Sequence, residues 1–202
     1  MGISKFIARQ FGKPAGFCGR IVTAIMNRQN YPMYEETVRL LSPRDSDRIL
    51  DIGCGNGYVL EMLSWQHGCE YSGIDISESI LRAAARRNRK SVKSGKMSFE
   101  CCEASEMPFP DKVFDKAYTV NTVYFWGDLI KTVAEIKRVL KPGGRFVNTL
   151  YTNETLDRFS HTQFEYKRFS REQLANAARE VGFSVEIVPI VNGAAYCVVC
   201  HV

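Results

Sequence analysis

The sequence predicts an α/β protein with a mainly parallel sheet, because patterns typical of buried strands alternate with patterns typical of helices. At 48–63 an apolar strand breaks into a glycine-rich turn that opens a helix, and a second apolar stretch at 71–76 contains an acid near its end. A helical pattern at 128–140 is closed by a Lys-Pro-Gly-Gly turn before a strand at 145–151. With 202 residues, 45% hydrophobic and 24% charged, the chain fits one compact domain.

The two ends of the chain supply further elements. A helical pattern spans 17–41, and we expect it to break at Tyr31-Pro32, since a proline disfavours the helical conformation in the residue before it. Near the other end, Ser170–Gln173 has the spacing of a capping box, and Gly182 ends the helix that this box opens. The apolar stretch 194–202 is the last predicted strand.

The glycine-rich turn is suited to holding a small molecule. Gly53, Gly55 and Gly57 allow tight backbone dihedral angles and let the main chain approach a ligand with no Cβ in the way. Because a helix begins directly after the turn, we expect the ligand over the carboxyl end of the first strand and near a helix N-terminus. Cys54, inside the turn, is expected to contribute its backbone rather than its sulfur.

Spacing and acids indicate which ligand the turn holds. A dinucleotide fingerprint, G-x-G-x-x-G, has its third glycine three positions after the second, whereas Gly57 follows Gly55 by two. Asp51 ends the first strand and would repel a pyrophosphate. Asp75 follows the turn by about 18 residues, near the roughly 20 at which such folds place a ribose-binding carboxylate. S-adenosyl-L-methionine fits better, since its methionine half carries a net positive charge, and a nicotinamide oxidoreductase stays an alternative.

Five stretches together resemble the class I S-adenosylmethionine-dependent methyltransferases, particularly the small enzymes related to the ubiquinone and menaquinone methyltransferases. These stretches are 51–57, 73–77, 102–109, 114–121 and 138–146. The resemblance implies a doubly wound, Rossmann-like mixed sheet of seven strands with helices on both faces and only the last strand antiparallel. It also implies one methyltransferase domain, with residues 1–45 as a helical cap over the cofactor site and 46–202 as the Rossmann-like core.

The same resemblance implies which residues hold S-adenosyl-L-methionine. Asp51 would orient the methionine end, and Asp75 would bind the ribose hydroxyls. Glu103, where an aspartate is commoner, would bind the adenine edge with the Ala104 amide, and Asn121 would lie near the transferable methyl group. The full expected set is Asp51, Gly53, Cys54, Gly55, Gly57, Asp75, Ile76, Glu103, Ala104 and Asn121.

Aromatic residues after the fourth strand and in the late connection predict a pocket for the methyl acceptor. The expected pocket residues are Tyr34, Tyr124, Trp126 and Phe164. Tyr124 and His161 are the catalytic candidates, and an unperturbed histidine pKa near 6.5 suits a general base at neutral pH. Because a sulfonium donor is already activated, we expect in-line displacement that depends mainly on alignment and desolvation. The stretch between Leu150 and Phe169 is short and leaves little room for an elaborated substrate domain, so the identity of the acceptor and its methylated atom stay open.

The sequence favours a small-molecule acceptor over a nucleic acid. The fourth strand ends in Asn121-Thr122-Val123-Tyr124, not in the Asn/Asp-Pro-Pro-aromatic stretch of amino-group methyltransferases that act on DNA. The net charge is +5, but we interpret the basic residues between Arg82 and Lys96 as the solvated side of a helix. The alternatives are a catalytically silent cofactor-binding or partner-binding protein of the same fold, and a protein or RNA methyltransferase.

Cysteine usage and hydropathy give the remaining expectations. Seven cysteines, an odd number, favour reduced thiols over a disulfide framework. Cys197 and Cys200 lie three apart in a predicted strand, so their sulfurs should point to opposite faces, and we expect no metal. No apolar run approaches the roughly 20 residues that cross a bilayer. We therefore expect a cytoplasmic protein without a membrane span, acting as a monomer or homodimer.

Overall fold

A computed structural model describes residues 16–159, 162 and 166–202, with side chains described from residue 26 onward. Within these residues seven strands form one sheet, in the order β3-β2-β1-β4-β5-β7-β6. Only β7 is antiparallel to its neighbours, β5 and β6. The strands are β1 Arg48–Ile52, β2 Glu70–Asp75, β3 Met97–Cys101, β4 Phe114–Val120, β5 Leu140–Tyr151, β6 Ser184–Ile190 and β7 Ala195–His201. The predicted fold class, a seven-stranded mixed sheet with the last strand antiparallel, is confirmed.

Helices cover both faces of the sheet. They are α1 Gly16–Leu41, α2 Tyr58–Gln66, α3 Glu78–Arg87, α4 Arg89–Lys93, α5 Leu129–Val139, α6 Asn153–Leu156 and α7 Arg171–Glu180. One buried cluster joins α1 and α2 to the sheet, and a second joins α5 and α7 to it. Cys197 belongs to the first cluster and Cys200 to the second, so the expectation that their sulfurs point to opposite faces is confirmed.

The first helix differs from its prediction. No break occurs at Tyr31-Pro32, because Gly16–Leu41 is one helix with Pro32 inside it. A proline there cannot donate to the carbonyl four residues earlier. The completely buried Met33, Thr37 and Leu41 hold the second half of the helix against the sheet. Thr37 also shares a hydrogen bond of 2.7 Å with Thr149 of β5. These tertiary contacts offset the lost backbone bond.

Two other boundaries test the sequence patterns. The predicted capping box is confirmed: Ser170 Oγ accepts from the Gln173 amide, and the Gln173 side chain accepts from the Ser170 amide. The strand predicted at 145–151 begins earlier, at Leu140, so the expected turn lies inside β5. The pairing of β4 with β5 shifts register there, between Phe114 and Lys116. The ladder is therefore irregular at the expected turn, where Gly143 has a positive φ of +76°.

The basic residues between Arg82 and Lys96 lie on the surface, as expected. The side chains of Arg82, Arg86, Arg89 and Lys90 are exposed. Arg87 pairs with Glu61 of α2 at 2.8 Å and lies over the Tyr58 ring. Among the described residues, we find no helix that is both long and apolar enough to span a membrane.

Candidate active site

A cavity of about 200 Å³ opens at the carboxyl ends of β1, β2 and β4. Open α/β sheets place their ligands at this edge. The helix α1 supplies Met26, Asn27, Asn30 and Tyr34 to the wall. The rest of the described wall consists of residues 51–56, 58, 59, 74–76, 80, 102–104, 118, 120–122, 125 and 126. Nearly all of the expected cofactor-binding residues therefore meet in one place.

The charge of this wall has one sign. Its acidic side chains are Asp51, Asp75 and Glu103, and no lysine, arginine or histidine occurs among the described lining residues. Charges inside a partly enclosed cavity interact more strongly than they do in water. The cavity is therefore suited to a cationic ligand and unsuited to a pyrophosphate.

The glycine-rich turn forms the floor of the cavity. The amides of Gly53 and Cys54 donate to the carbonyl of Ile74, at 2.8 and 2.9 Å, which fixes the turn against β2. Gly53 has φ +74°, and a Cβ there would overlap the side chain of Thr122. Gly55 has φ +52°, and a Cβ there would meet no atom within 4 Å. Gly53 is thus required by packing, whereas Gly55 leaves open space beside the cavity.

Gly57 does not line the cavity. It lies at the start of α2 with φ +70°, where a Cβ would come within 2.6 Å of Asn88 Nδ2 and 3.0 Å of Ala84 Cβ. Asn88 Nδ2 also donates to the Gly57 carbonyl at 3.0 Å. Close packing of the turn on α3 therefore accounts for this glycine, and the ligand contact expected from the sequence is absent from the described wall.

A buried pair holds the acid at the end of β1. Asp51 is only 3% exposed, and its Oδ2 accepts a hydrogen bond of 2.7 Å from the hydroxyl of the buried Tyr118. Burial raises the pKa of Asp51 to about 7, with a smaller contribution from Asp75, while the Tyr118 hydrogen bond opposes the rise. The pKa of this carboxyl therefore lies near neutral pH, and a bound cation would favour its charged form.

Asp75 ends β2 and braces the turn from the other side. Its Oδ2 accepts from the Gly55 amide at 3.1 Å, and its Oδ1 accepts from the Ser77 amide at 3.0 Å. Burial raises its pKa, and these backbone hydrogen bonds partly offset the effect. Each carboxylate oxygen has lone pairs beyond the single bond that it accepts from the backbone. Asp75 can therefore hold the turn and still accept from a ligand hydroxyl.

The expected adenine side is an apolar shelf with one acid. Ile76, Glu103 and Ala104 all line the cavity, and Ile76 is 44% exposed although its side chain is apolar. Cys102 and Ile80 extend the same surface. An exposed isoleucine next to a carboxylate gives a flat ring a surface to pack on and an acceptor at its edge.

Asn121 follows β4 in the left-handed region, with φ +58°, which asparagine adopts more readily than most residues. Its amide donates to the Thr149 carbonyl at 2.9 Å, and its Oδ1 accepts from the Tyr124 hydroxyl at 3.1 Å. Its Nδ2 lies 3.6 Å from Met33 Sδ of α1. Asn121 is thus fixed between the sheet and the covering helix, at the cavity wall.

The structure divides the expected acceptor and catalytic residues. Tyr34 and Trp126 line this cavity, whereas the almost fully buried Tyr124 lines a smaller adjoining cavity. The Tyr124 hydroxyl donates to Asn121 and accepts from the Tyr151 amide at 2.9 Å, and burial raises its pKa well above the usual range. These contacts suit a positioning role better than a general base. His161 and Phe164 lie outside the described residues.

Sequence reasoning missed several residues of the wall. Tyr118 is the most important, and it lies opposite Asp51 in the register of β1 with β4. The position of Tyr118 in the wall follows from the pairing of β1 with β4, and no local sequence pattern predicts which strands pair. Met26 and Asn27 lie eight and seven residues before the predicted pocket residue Tyr34, so the spacing of one helix face could have identified them. Thr122 and Phe125 were likewise not assigned to the wall.

The fold and the acidic cavity together define a Rossmann-like protein of the class that binds S-adenosylmethionine. Residues 50–148 match the family model described as a methyltransferase domain. The chain is 32% identical over 154 residues to an uncharacterised methyltransferase, YdaC, of Bacillus subtilis, covering 75% of this chain and 80% of that protein. The chain belongs to the class I S-adenosylmethionine-dependent methyltransferases.

Other relatives share part of their length with this chain. It is 35% identical over 106 residues to the 27-O-demethylrifamycin SV methyltransferase of Amycolatopsis mediterranei, covering 52% of this chain and 39% of that protein. The chain spans 55% and 61% of the length of two fungal O-methyltransferases, from Penicillium expansum and Aspergillus sclerotiorum. None of these similarities singles out the ubiquinone-related subgroup.

Solved structures share the fold of the described residues. A putative methyltransferase of Haloferax volcanii, in complex with the activator Trm112, has a TM-score of 0.80 at 20% identity, covering 100% of this chain and 99% of that chain. A phosphoethanolamine N-methyltransferase 2 of Haemonchus contortus, in complex with S-adenosyl-L-methionine, has a TM-score of 0.69 at 25% identity, covering 79% of this chain and 39% of that chain.

Proposed function

We propose that this chain transfers the methyl group of S-adenosyl-L-methionine to a small-molecule acceptor. One observation carries the proposal: three acids and no described cation line a cavity at the carboxyl ends of β1, β2 and β4, beside a glycine-rich turn. Family membership supports the same donor. A relative named for methylating a rifamycin supports a small-molecule acceptor.

Each part of the wall has a proposed role toward the donor. Asp51 holds the ammonium of the methionine end, and the open backbone at Gly53 and Gly55 lets that end approach. Asp75 accepts hydrogen bonds from the ribose hydroxyls, while Ile76, Glu103 and Ala104 pack against and bind the adenine. Asn121 lies near the methyl group. The helix α1 within residues 1–45 covers the site, and residues 46–202 form the core that supports it.

The chemistry needs little from protein acids and bases. When bound, S-adenosyl-L-methionine supplies a methyl group on positively charged sulfur, and the proposed transfer is an in-line displacement that leaves S-adenosyl-L-homocysteine. The protein residues align the acceptor and exclude water, which can contribute several kcal/mol. The described residues contain no group of three or more histidines, cysteines or acids placed to hold a metal ion, and the proposal uses none.

Calorimetry with S-adenosyl-L-methionine and S-adenosyl-L-homocysteine tests this proposal. We expect micromolar binding of both and at least about tenfold weaker binding to Asp75→Asn, which loses a charge but keeps its size. Exposed Asp111→Asn, outside the cavity, controls for the change in net charge. No heat with either ligand would contradict the proposal, and binding of NADH instead would favour an oxidoreductase. Binding without turnover of any acceptor would favour a silent cofactor-binding protein.

The Tyr118 hydroxyl is expected to set the pH range of donor binding. Its hydrogen bond lowers the pKa of Asp51, so Tyr118→Phe should raise that pKa further and move the rise of donor affinity to higher pH. The other titratable groups around Asp51 are Asp75, Cys54 and Tyr34. Burial raises the pKa of the Cys54 thiol and of the Tyr34 hydroxyl, so both stay neutral in the pH range in which Asp51 titrates. Calorimetry from pH 6 to 9 measures the shift.

Tyr71→Phe is the matched control for this variant. Tyr71 is another buried tyrosine, and its hydroxyl donates to the His67 carbonyl at 3.1 Å, away from the cavity wall. It should lose comparable stability, about 1 kcal/mol, without moving the pH profile. Identical profiles for Tyr118→Phe and wild type would show that Tyr118 does not position or tune Asp51.

Cytoplasmic location and assembly as a monomer or homodimer remain predictions from the sequence. Size-exclusion chromatography with light scattering measures the assembly directly.

A further inference from the structure

A second, smaller cavity of about 60 Å³ adjoins the first. The two cavities share Met26, Asn30, Asn121 and Phe125 in their walls. Five aromatic rings surround the second one, from Tyr124, Phe125, Tyr151, Phe159 and Tyr166. By volume it has room for roughly four to six water molecules, about the space of a single ring. It therefore suits one small group of a larger ligand that also reaches the first cavity.

None of the described residues that line the second cavity is charged. Several of its polar groups bind one another. Tyr124 bridges Asn121 and the Tyr151 amide, and the Tyr151 hydroxyl donates to Asn30 Oδ1 at 2.9 Å. These bonds hold the rings in place at the wall. The surface that they offer is largely apolar and aromatic.

The two cations of the flanking segment contact backbone carbonyls and Asp157, and Arg168 Nη1 has no hydrogen-bond partner among the described residues. Lys167 Nζ donates to the carbonyls of Trp126 and Gly127, at 2.6 and 2.7 Å. Arg168 donates to the Thr162 carbonyl at 3.2 Å and pairs with Asp157 at 3.1 Å, and neither Lys167 nor Arg168 lines the cavity. A carboxylate or phosphate entering the second cavity would find no cation among the described residues of its wall.

We propose that the second cavity receives an uncharged ring of the methyl acceptor and rejects an anionic one. This inference rests on the proposed function, because it places the acceptor next to Asn121, where the two cavities meet. Burying an anion without a partner costs several kcal/mol, and the acids of the adjoining cavity add repulsion. A neutral ring gains aromatic contacts of about 0.5–1.5 kcal/mol for each favourable pair. Charge is thus the first criterion by which this site selects its acceptor.

Binding of phenol and benzoate to protein saturated with S-adenosyl-L-homocysteine tests the inference. These two probes share one ring and differ in charge. We expect phenol to bind at least about tenfold more tightly, as measured by ligand-observed NMR titration. Gln29→Lys adds a cation at an exposed position of the cavity wall and should improve benzoate binding. The exposed Gln66→Lys, outside both cavities, makes the same charge change and should leave the phenol preference intact.

The outcomes separate this inference from the proposed function. Equal or tighter binding of benzoate, or no binding of phenol, overturns the inference. If the same protein still binds S-adenosyl-L-homocysteine, the proposed function stands. An unchanged benzoate affinity in Gln29→Lys also overturns it, because the second cavity would then not be where the probes bind. If the protein does not bind S-adenosyl-L-homocysteine, the inference and the proposed function are both overturned.

Discussion

Replacing Asp51 with asparagine is expected to weaken binding of S-adenosyl-L-methionine by about 30- to 100-fold at pH 8, a loss of about 2–3 kcal/mol. The change keeps the size of the side chain and its ability to accept from Tyr118. It removes the buried negative charge that we propose faces the ligand ammonium. Calorimetry on both proteins at the same ionic strength gives the ratio of the two dissociation constants.

The same substitution is expected to stabilise the unliganded protein above about pH 7. Burial raises the pKa of Asp51 from its ordinary value of 3.8 to about 7, so between these pH values the folded state binds a proton that the unfolded state has released. The contribution of Asp51 to stability is fully present below about pH 4 and is lost as pH rises through 7. Asparagine does not titrate, so the stability of Asp51→Asn relative to the wild-type protein should increase with pH. Thermal unfolding of both proteins at pH 5 and 8 measures this difference.

In the wild-type protein, donor affinity should rise with pH, whereas the contribution of Asp51 to folding stability falls. A cationic ligand favours the carboxylate, so affinity should rise with pH by up to about tenfold per unit below pH 7 and level off above it. Asp51→Asn should flatten this dependence. A variant with wild-type affinity, or with the same pH profile, would rule out the proposed role of Asp51.

Replacing Gly55 with alanine is expected to weaken donor binding at least about tenfold while the protein still folds. A Cβ at Gly55 would meet no protein atom within 4 Å, and Gly55 lines the cavity, so the added methyl group would occupy space that we assign to the donor. The left-handed backbone, with φ +52°, adds a stability cost of about 1–2 kcal/mol. Calorimetry and thermal unfolding of the same preparations measure the two effects separately.

Gly95→Ala is the matched control for the backbone cost. Gly95 also has a positive φ, +74°, and open space around its missing Cβ, but it lies between α4 and β3 and does not line either cavity. Both variants should lose similar stability, and only Gly55→Ala should lose donor affinity. An equal effect of the two substitutions on binding would mean that general destabilisation, not the open backbone at Gly55, governs affinity.

Local patterns were enough to predict an α/β protein and the centre of the site, while the count of seven strands and the antiparallel last strand came from the family resemblance. The strand, turn and helix at 48–63 and the second strand ending at Asp75 have periodicity and glycine spacing that depend only on neighbouring residues. The capping box at Ser170 is local for the same reason. The two acids follow from the pattern because parallel strands place their carboxyl ends along one edge, so Asp51 and Asp75 had to meet there.

Only the tertiary structure placed Tyr118 against Asp51, because that contact depends on which strands are neighbours and in what register. Packing on the sheet also decided that α1 continues through Pro32 and lies across the cavity. It assigned Gly57 to contact with α3 and placed Tyr124 in the wall of the second cavity rather than the first. These features arise from contacts between residues far apart in the chain, whose geometry no local sequence pattern encodes. The sequence by itself therefore determined the fold class and the acidic cavity, while the charge state and shape of that cavity were decided by tertiary packing.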